Sequence, residues 1–139
     1  MADVHSKETR SYNMSRIRSK DTKPEMLVRK FLHKNGFRYR LHVKDLPGKP
    51  DIVLPKYKTV IFIHGCFWHG HEGCKYYVVP KSNVTYWLPK IKKNVSRDIS
   101  SENKLKTNEW NIIKIWECEL KHNEEDTLKT LLDFFHQLL

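Results

Sequence analysis

A chain of 139 residues with 39% hydrophobic content fits one globular domain built around one core. Its 26 Lys and Arg against 16 Asp and Glu leave a formal charge of +10, which makes a polyanion the first partner to consider and an anionic membrane surface the second. No apolar run reaches membrane-spanning length and Met1-Ala2-Asp3-Val4-His5 has no signal-peptide core, so a membrane span is excluded and a cytoplasmic setting with reduced thiols is expected for the three cysteines.

The first twenty residues are polar and basic. Arg16, Arg18 and Lys20 surround a thin apolar pair, Met14 and Ile17, and the segment reads as an arm that a partner orders. Thr22-Lys23-Pro24-Glu25 is a helix start, with Thr22 as cap and Glu25 three residues on. Leu27, Val28, Phe31 and Leu32 form its buried face, and Gly36 is placed to end it. A strand is predicted over Arg38 to His42, a turn over Leu46 to Pro50, a strand over Asp51 to Leu54, and a central strand over Thr59 to Ile63. From Ser82 a long helix is predicted, with Val84, Leu88, Ile91, Val95 and Ile99 inward and Lys90, Lys92, Lys93 and Arg97 elsewhere. Ile112 to Trp116 give another strand that delivers Glu117-Cys118 at its end. Leu128, Leu131, Leu132, Phe135, Leu138 and Leu139 then make the stripe of a closing helix with Glu124, Glu125 and Asp126 in its first turn. Helices flanking a mixed sheet give an α/β fold.

Chemistry is concentrated around the two apolar strands. Cys66, His71, Cys74 and Cys118 can supply the Cys3His set that a structural zinc prefers, and they use every cysteine in the chain. Three unrelated buried thiols are the plain alternative. Asp51, directly after Pro50, is the candidate ligand for magnesium, a hard cation that takes one or two protein carboxylates. A solvated turn aspartate is its plain alternative. His64 and His69 stand near the end of the next strand, and either could activate a water against a phosphodiester. Glu25 reads locally as the last member of a capping box, or as a second acidic group. Phe67, Trp68 and Trp87 could stack on bases or wedge between them, or simply pack over the cysteine loop.

These residues resemble a known family. The segments Met1-Ala2-Asp3-Val4-His5, Asn13-Met14, Leu46-Pro47-Gly48-Lys49-Pro50-Asp51, Phe62-Ile63-His64-Gly65-Cys66-Phe67-Trp68-His69, Lys90 to Asp98 and Trp116-Glu117-Cys118 are similar to the very-short-patch-repair (Vsr) DNA mismatch endonucleases, in the same order from the N-terminus to about Leu120. The resemblance implies a single domain over residues 1–139 with a restriction-endonuclease-like fold and an added structural zinc. It implies a magnesium-dependent nick 5′ of the thymine in a T:G mismatch left by deaminated 5-methylcytosine. By position, Asp51 and the backbone carbonyl of Ile63 would hold magnesium, Glu25 would reach the ion through water, and His69 would be the general base with His64 beside it. Phe67, Trp68 and Trp87 would form an aromatic wedge; Met14, Arg16 and Arg18 of the arm would clasp the other groove, and Lys93 and Arg97 would add DNA contacts. The resemblance also implies a nucleoid-bound monomer linked functionally to a cytosine-5 DNA methyltransferase and to mismatch-repair proteins. Where restriction-type nucleases carry an acidic-x-Lys motif, this slot reads Phe62-Ile63-His64, which leaves Asp51 as the strand's carboxylate. Two rival readings remain beside it: a restriction endonuclease of the same fold, and a zinc-stapled DNA-binding module without catalysis.

Overall fold

A computed structural model describes residues 22–71, 73–75 and 84–138. The basic arm with Met14, Arg16 and Arg18 lies outside the described residues. The described elements are helix α1 (Lys23–Lys34), strands β1 (Arg40–Leu41) and β2 (Ile52–Leu54), a 3-10 turn (Pro55–Tyr57), β3 (Thr59–His64), the long helix α2 (Val84–Thr107), β4 (Asn111–Trp116), the short helix α3 (Glu117–His122) and α4 (Glu124–Gln137). The sheet runs in the order β1-β2-β3-β4. The first two pairings are antiparallel and the last is parallel. A parallel neighbour needs a crossover, and α2 lies on that connection. Among the described residues, no helix is long and apolar enough to cross a membrane.

The unbroken apolar runs are explained by burial on both faces of the sheet. On one face Ile52, Leu54, Ile61 and Ile115 pack with Val28 and Leu32 of α1 and with Leu120, Leu131 and Phe135 of α3 and α4. On the other face Val53, Val60 and Phe62 pack with Leu105 of α2. Period-two alternation thus sends successive β2 and β3 residues into two different cores. Gly48 sits where the turn before β2 presses on α2. Its φ is 76°, and a Cβ there would fall 2.9 Å from the Ser101 Cβ and 3.2 Å from the Phe62 ring. That close approach holds the turn leading to Asp51.

Three expectations are corrected. The strand over Arg38 to His42 shrinks to Arg40–Leu41, because His42 adopts a left-handed φ of 51° that cannot continue a ladder. Asp51 occupies a bend just before β2 instead of its first rung. Cys118 does follow the end of β4, as expected, and stands as the second residue of α3, which starts where Glu119 accepts the Trp116 N–H at 3.0 Å. The apolar stripe of α2 fails at Ile99, which is 54% exposed, and that of α4 stops at Phe135, with Leu138 45% exposed. On α2 the inward line runs instead through Ile91, Asn94, Asp98, Ser101 and Leu105. Polar residues on the inner face of a helix mark what it covers.

Candidate active site and metal centre

The two central strands stop pairing at Ile52 and Ile61, so the next inward-edge group of β3, the Ile63 N–H, has no β2 partner. It donates instead to Asp51 Oδ2 at 2.7 Å. In an antiparallel ladder the N–H and C=O of one residue point to the same edge, so the Ile63 carbonyl faces the Asp51 side as well. Glu25 reaches this spot from α1 and is 1% exposed. Its Oε2 accepts the Thr22 N–H at 3.4 Å, so the cap is present, while Oε1 meets Arg29 at 2.9 Å and His42 at 3.4 Å. The capping reading of Glu25 is met, and its second oxygen faces Arg29 and His42. The ligand atoms of Glu25, His42 and Asp51 lie within 4.8 Å of one another.

Burial raises the Asp51 carboxyl to about 6; the Ile63 N–H opposes the rise and the Glu25 charge adds to it. A proton therefore competes with any cation at this carboxylate. Below about pH 6 apparent affinity for a divalent ion is expected to fall roughly tenfold per unit, and above it to level off. Manganese titrations at several pH values check this. A flat profile from pH 5 to 8 would remove Asp51 from the ligand set.

His64 ends β3 and is 4% exposed. Its ring lies flat on His69, with centroids 3.8 Å apart and planes 1° off parallel. Burial, then His69, lowers His64 to about 3, so it is neutral throughout the physiological range. His69 Nδ1 stands 2.7 Å from Asp98 Oδ2 of α2. A carboxylate only accepts, so Nδ1–H donates, and in the neutral form of the ring the lone pair then lies on Nε2. Beside these rings Gly48, Phe62, His64, Asp98, Ser101 and Glu102 line a cavity of about 10 Å³, room for one water. Asn94 donates to the Trp68 carbonyl at 3.0 Å and fixes the loop on α2.

The loop itself is a tight turn. The His71 N–H donates to the Cys66 carbonyl at 2.9 Å, and the Cys74 N–H to the His71 carbonyl at 3.3 Å. Cys66, His71, Cys74 and Cys118 bring their ligand atoms within 4.8 Å of one another. All three cysteines are free, and Cys118 Sγ lies 3.5 Å from His71 Nδ1. The His71 ring is stacked on Trp116, 4.0 Å away and 5° from parallel. Burial pushes the Cys66 thiol up to about 12, so a thiolate there calls for a cation. The group could hold a metal ion.

Phe67, Trp68 and Trp87 form an edge-to-face triangle, with centroid distances of 5.2, 5.5 and 5.5 Å. All three remain half-buried. Tyr86 extends the cluster, 4.8 Å from Trp87 and 55% exposed, with the Lys90 ammonium over its ring.

Comparison with known proteins gives this arrangement a context. Residues 2–75 match the family described as DNA mismatch endonuclease Vsr. A type II nicking enzyme of Neisseria meningitidis, V.NmeAIP, is 56% identical over 88% of the chain and 86% of its own length. The chain belongs to the Vsr family of DNA mismatch endonucleases. Another type II nicking enzyme, V.XorIIP of Xanthomonas oryzae, is 49% identical over 96% of the chain and 98% of its own length. The DNA mismatch endonuclease Vsr of Escherichia coli is 42% identical over 96% of the chain and 85% of its own length.

In this Vsr-family chain the acidic, histidine and cysteine residues singled out from sequence fall into three groups, Glu25 with Asp51, His64 with His69, and the four cysteine and histidine donors, and the singled-out aromatics form the triangle beside them. Lys93 and Arg97 are exposed on α2 and belong to none of them. Sequence reasoning did not single out His42, Arg29, Asp98 and Tyr86, which the structure places beside these groups. For Asp98 a signal existed. Asn94, Asp98 and Ser101 recur at helical spacing while the apolar stripe runs out at Ile99. His42 had none, since it depends on a left-handed residue closing a loop.

Proposed function

We propose that this protein is a magnesium-dependent mismatch endonuclease that nicks duplex DNA 5′ of the thymine in T:G mismatches, on a restriction-endonuclease-related domain stapled by zinc. The observation that carries the reading is the Asp51–Ile63 edge lying beside the His64–His69 stack in a member of the Vsr family. Its relatives named as nicking enzymes favour a cut in one strand over a cut in both. Asp51 and the Ile63 carbonyl fit a hard cation that keeps most of its waters, and Glu25 would reach it through one of these. Bound there, magnesium supplies charge stabilisation at the phosphodiester.

The protein's own groups then divide the proton work. Asp98 orients His69 so that Nε2 faces out and can take a proton from the attacking water. His64, neutral and stacked beneath, offers hydrogen bonding at the phosphate without adding charge. Asp98→Asn would offer Nδ1 an amide that donates as readily as it accepts, favouring the wrong tautomer. Its kcat is expected to drop by about a hundredfold or more, with KM for duplex little changed. A rise in KM with kcat unchanged would remove Asp98 from this role.

The cysteine group fits zinc. In a tetrahedron with ordinary Zn–S and Zn–N bonds, sulfur and nitrogen lie about 3.6 Å apart, and Cys118 Sγ to His71 Nδ1 is 3.5 Å.

Phe67, Trp68 and Trp87 are the proposed wedge, and their half-exposed triangle supports it. Prising open a base step costs a few kcal/mol, less beside a poorly stacked T:G pair. The test is cleavage of a panel of labelled duplexes, matched and mismatched, with and without magnesium. Wild type is expected to nick T:G duplexes alone. Trp68→Ala is expected to lose about tenfold or more of that nicking, while nonspecific affinity and zinc content hold. Normal T:G cleavage by Trp68→Ala would make the triangle a packing cluster.

A further inference from the structure

Strands β3 and β4 end on the same rung, where His64 is paired with Trp116. Paired residues of a parallel ladder face the same side of the sheet, so the indole stands beside the imidazole. The two rings are 5.1 Å apart and nearly perpendicular, at 74°. Trp116 also has the His71 ring flat on it, at 4.0 Å and 5°. His64 in turn lies flat on His69 at 3.8 Å. The rings therefore run in one unbroken series, His71–Trp116–His64–His69, from the cysteine cluster to the proposed base. Trp116 is the member that neither donates to a metal nor carries a proton.

The backbone of Trp116 is fixed twice. The ladder holds it to β3, and its N–H donates at 3.0 Å to Glu119 Oε1 at the start of α3. Cys118 follows two residues later, so one short segment supplies both a donor of the cysteine cluster and the surface behind His71. His64 has less to hold it. Its Nδ1 is buried and bonded by no group among the described residues, so ring contacts set the imidazole plane at that end. Phe62 adds a tilted contact, more distant at 5.6 Å. Offset stacks and edge contacts are the arrangements that aromatic rings prefer, and they fix angle as well as distance. We propose that Trp116 is a positioning residue for the reaction: it carries the placement of His71 in the cysteine cluster across to His64, and so holds the plane on which His69 stacks. The proposal rests on the reading of His69 as the base with His64 at the phosphate. Misplacing a reacting group by about 1 Å can cost a hundredfold in rate, so a ring that supports the base acts on the chemical step and not on duplex binding.

The experiment compares the zinc-loaded full-length protein with Trp116→Leu, which removes the flat ring, and Trp116→Phe, which restores one. Each is measured for zinc content, duplex affinity, single-turnover nicking of a T:G duplex at saturating magnesium, and the NMR signals of the histidine ring protons. Trp116→Leu is expected to keep its zinc and its duplex affinity, to nick about tenfold or more slowly, and to move the ring signals of His69, one ring further along the series. Trp116→Phe is expected to recover the rate to within about threefold of wild type. Trp116→Met, whose side chain adapts to an irregular space, replaces the Leu variant where that one does not fold. A folded, zinc-loaded Leu or Met variant with the wild-type rate and unmoved His69 signals overturns the proposal. So does a rate that falls only in proportion to lost zinc, which makes Trp116 mere packing for the cysteine cluster. A loss of duplex affinity with the rate intact, or a Phe variant as slow as Leu, overturns it as well. Wild type that leaves T:G duplexes uncut overturns the reading of function and takes the proposal down with it, so the two failures are told apart by whether wild type cuts.

Discussion

Asp51→Ala is expected to lower nicking of a T:G duplex by about a thousandfold or more, while duplex binding persists. Polarisation of a phosphoryl oxygen by a bound cation is worth several kcal/mol, and each ~1.4 kcal/mol is a factor of ten in rate. The Ile63 carbonyl alone is a poor anchor for a dication, so removal of the carboxylate should empty the site. Affinity for DNA comes mainly from Lys and Arg at phosphates, and a chain of formal charge +10 becomes more positive by losing Asp51. The fold should tolerate the change. Asp51 accepts the Ile63 N–H at 2.7 Å, and an amide left unpaired in a part-buried place costs about 1–3 kcal/mol. Loss of a buried carboxyl crowded by Glu25 offsets part of that. Asp51→Asn is the sharper control, because its carbonyl still accepts from Ile63 while its charge is gone. Single-turnover cleavage with each variant decides the matter. Near-normal magnesium-dependent rates in Asp51→Asn would sink the assignment.

What the sequence made legible follows from the range of the forces involved. Thr22 and Glu25 are a local device, and the helix they start appears where expected. The β3 run Thr59 to Ile63 carries no charge and is bounded by turns, so it could only be a buried strand, and it extends one residue further to His64. The cysteine set was readable because zinc chemistry restricts the donor types. What escaped reading depends on tertiary contact. Ile99 fits the helical period of α2 yet is exposed, because the inward face there is claimed by Asp98 reaching His69. Arg29 carries no signal in the sequence that sets it apart from the other cations of α1. It is buried because Glu25, one turn back on the same helix, and His42, 13 residues further along the chain, both converge on it. Periodicity reports which face is apolar. It does not report where a polar face is needed inside.

Cys118→Ser is expected to remove the zinc, to lower the melting temperature by about 10 °C or more, and to disable cleavage with it. A serine hydroxyl is a weak ligand for zinc, and a closed four-ligand shell loses folding free energy directly when one thiolate goes. A loss of a few kcal/mol is a large share of the ~5–15 kcal/mol that holds a domain together, and at this size each kcal/mol shifts the midpoint by a few degrees. The effect should not stop at stability. Cys118 is anchored in α3, whereas Cys66 and His71 clip the two ends of one tight turn, closed by the His71 N–H to Cys66 carbonyl bond of 2.9 Å. Phe67, Trp68 and His69 all lie between those clips. Without the ion, the turn is tied to the body chiefly by Asn94 on the Trp68 carbonyl and Asp98 on His69. His69 would then leave its stack on His64 for part of the time, and kcat should fall in proportion to the fraction displaced. A chelator acting on wild type should reproduce both changes, and added zinc should restore wild type but not the variant. Elemental analysis of the purified protein is the first check: wild type without zinc ends the idea, and a Cys118→Ser variant that keeps its zinc and its melting temperature takes Cys118 out of the shell.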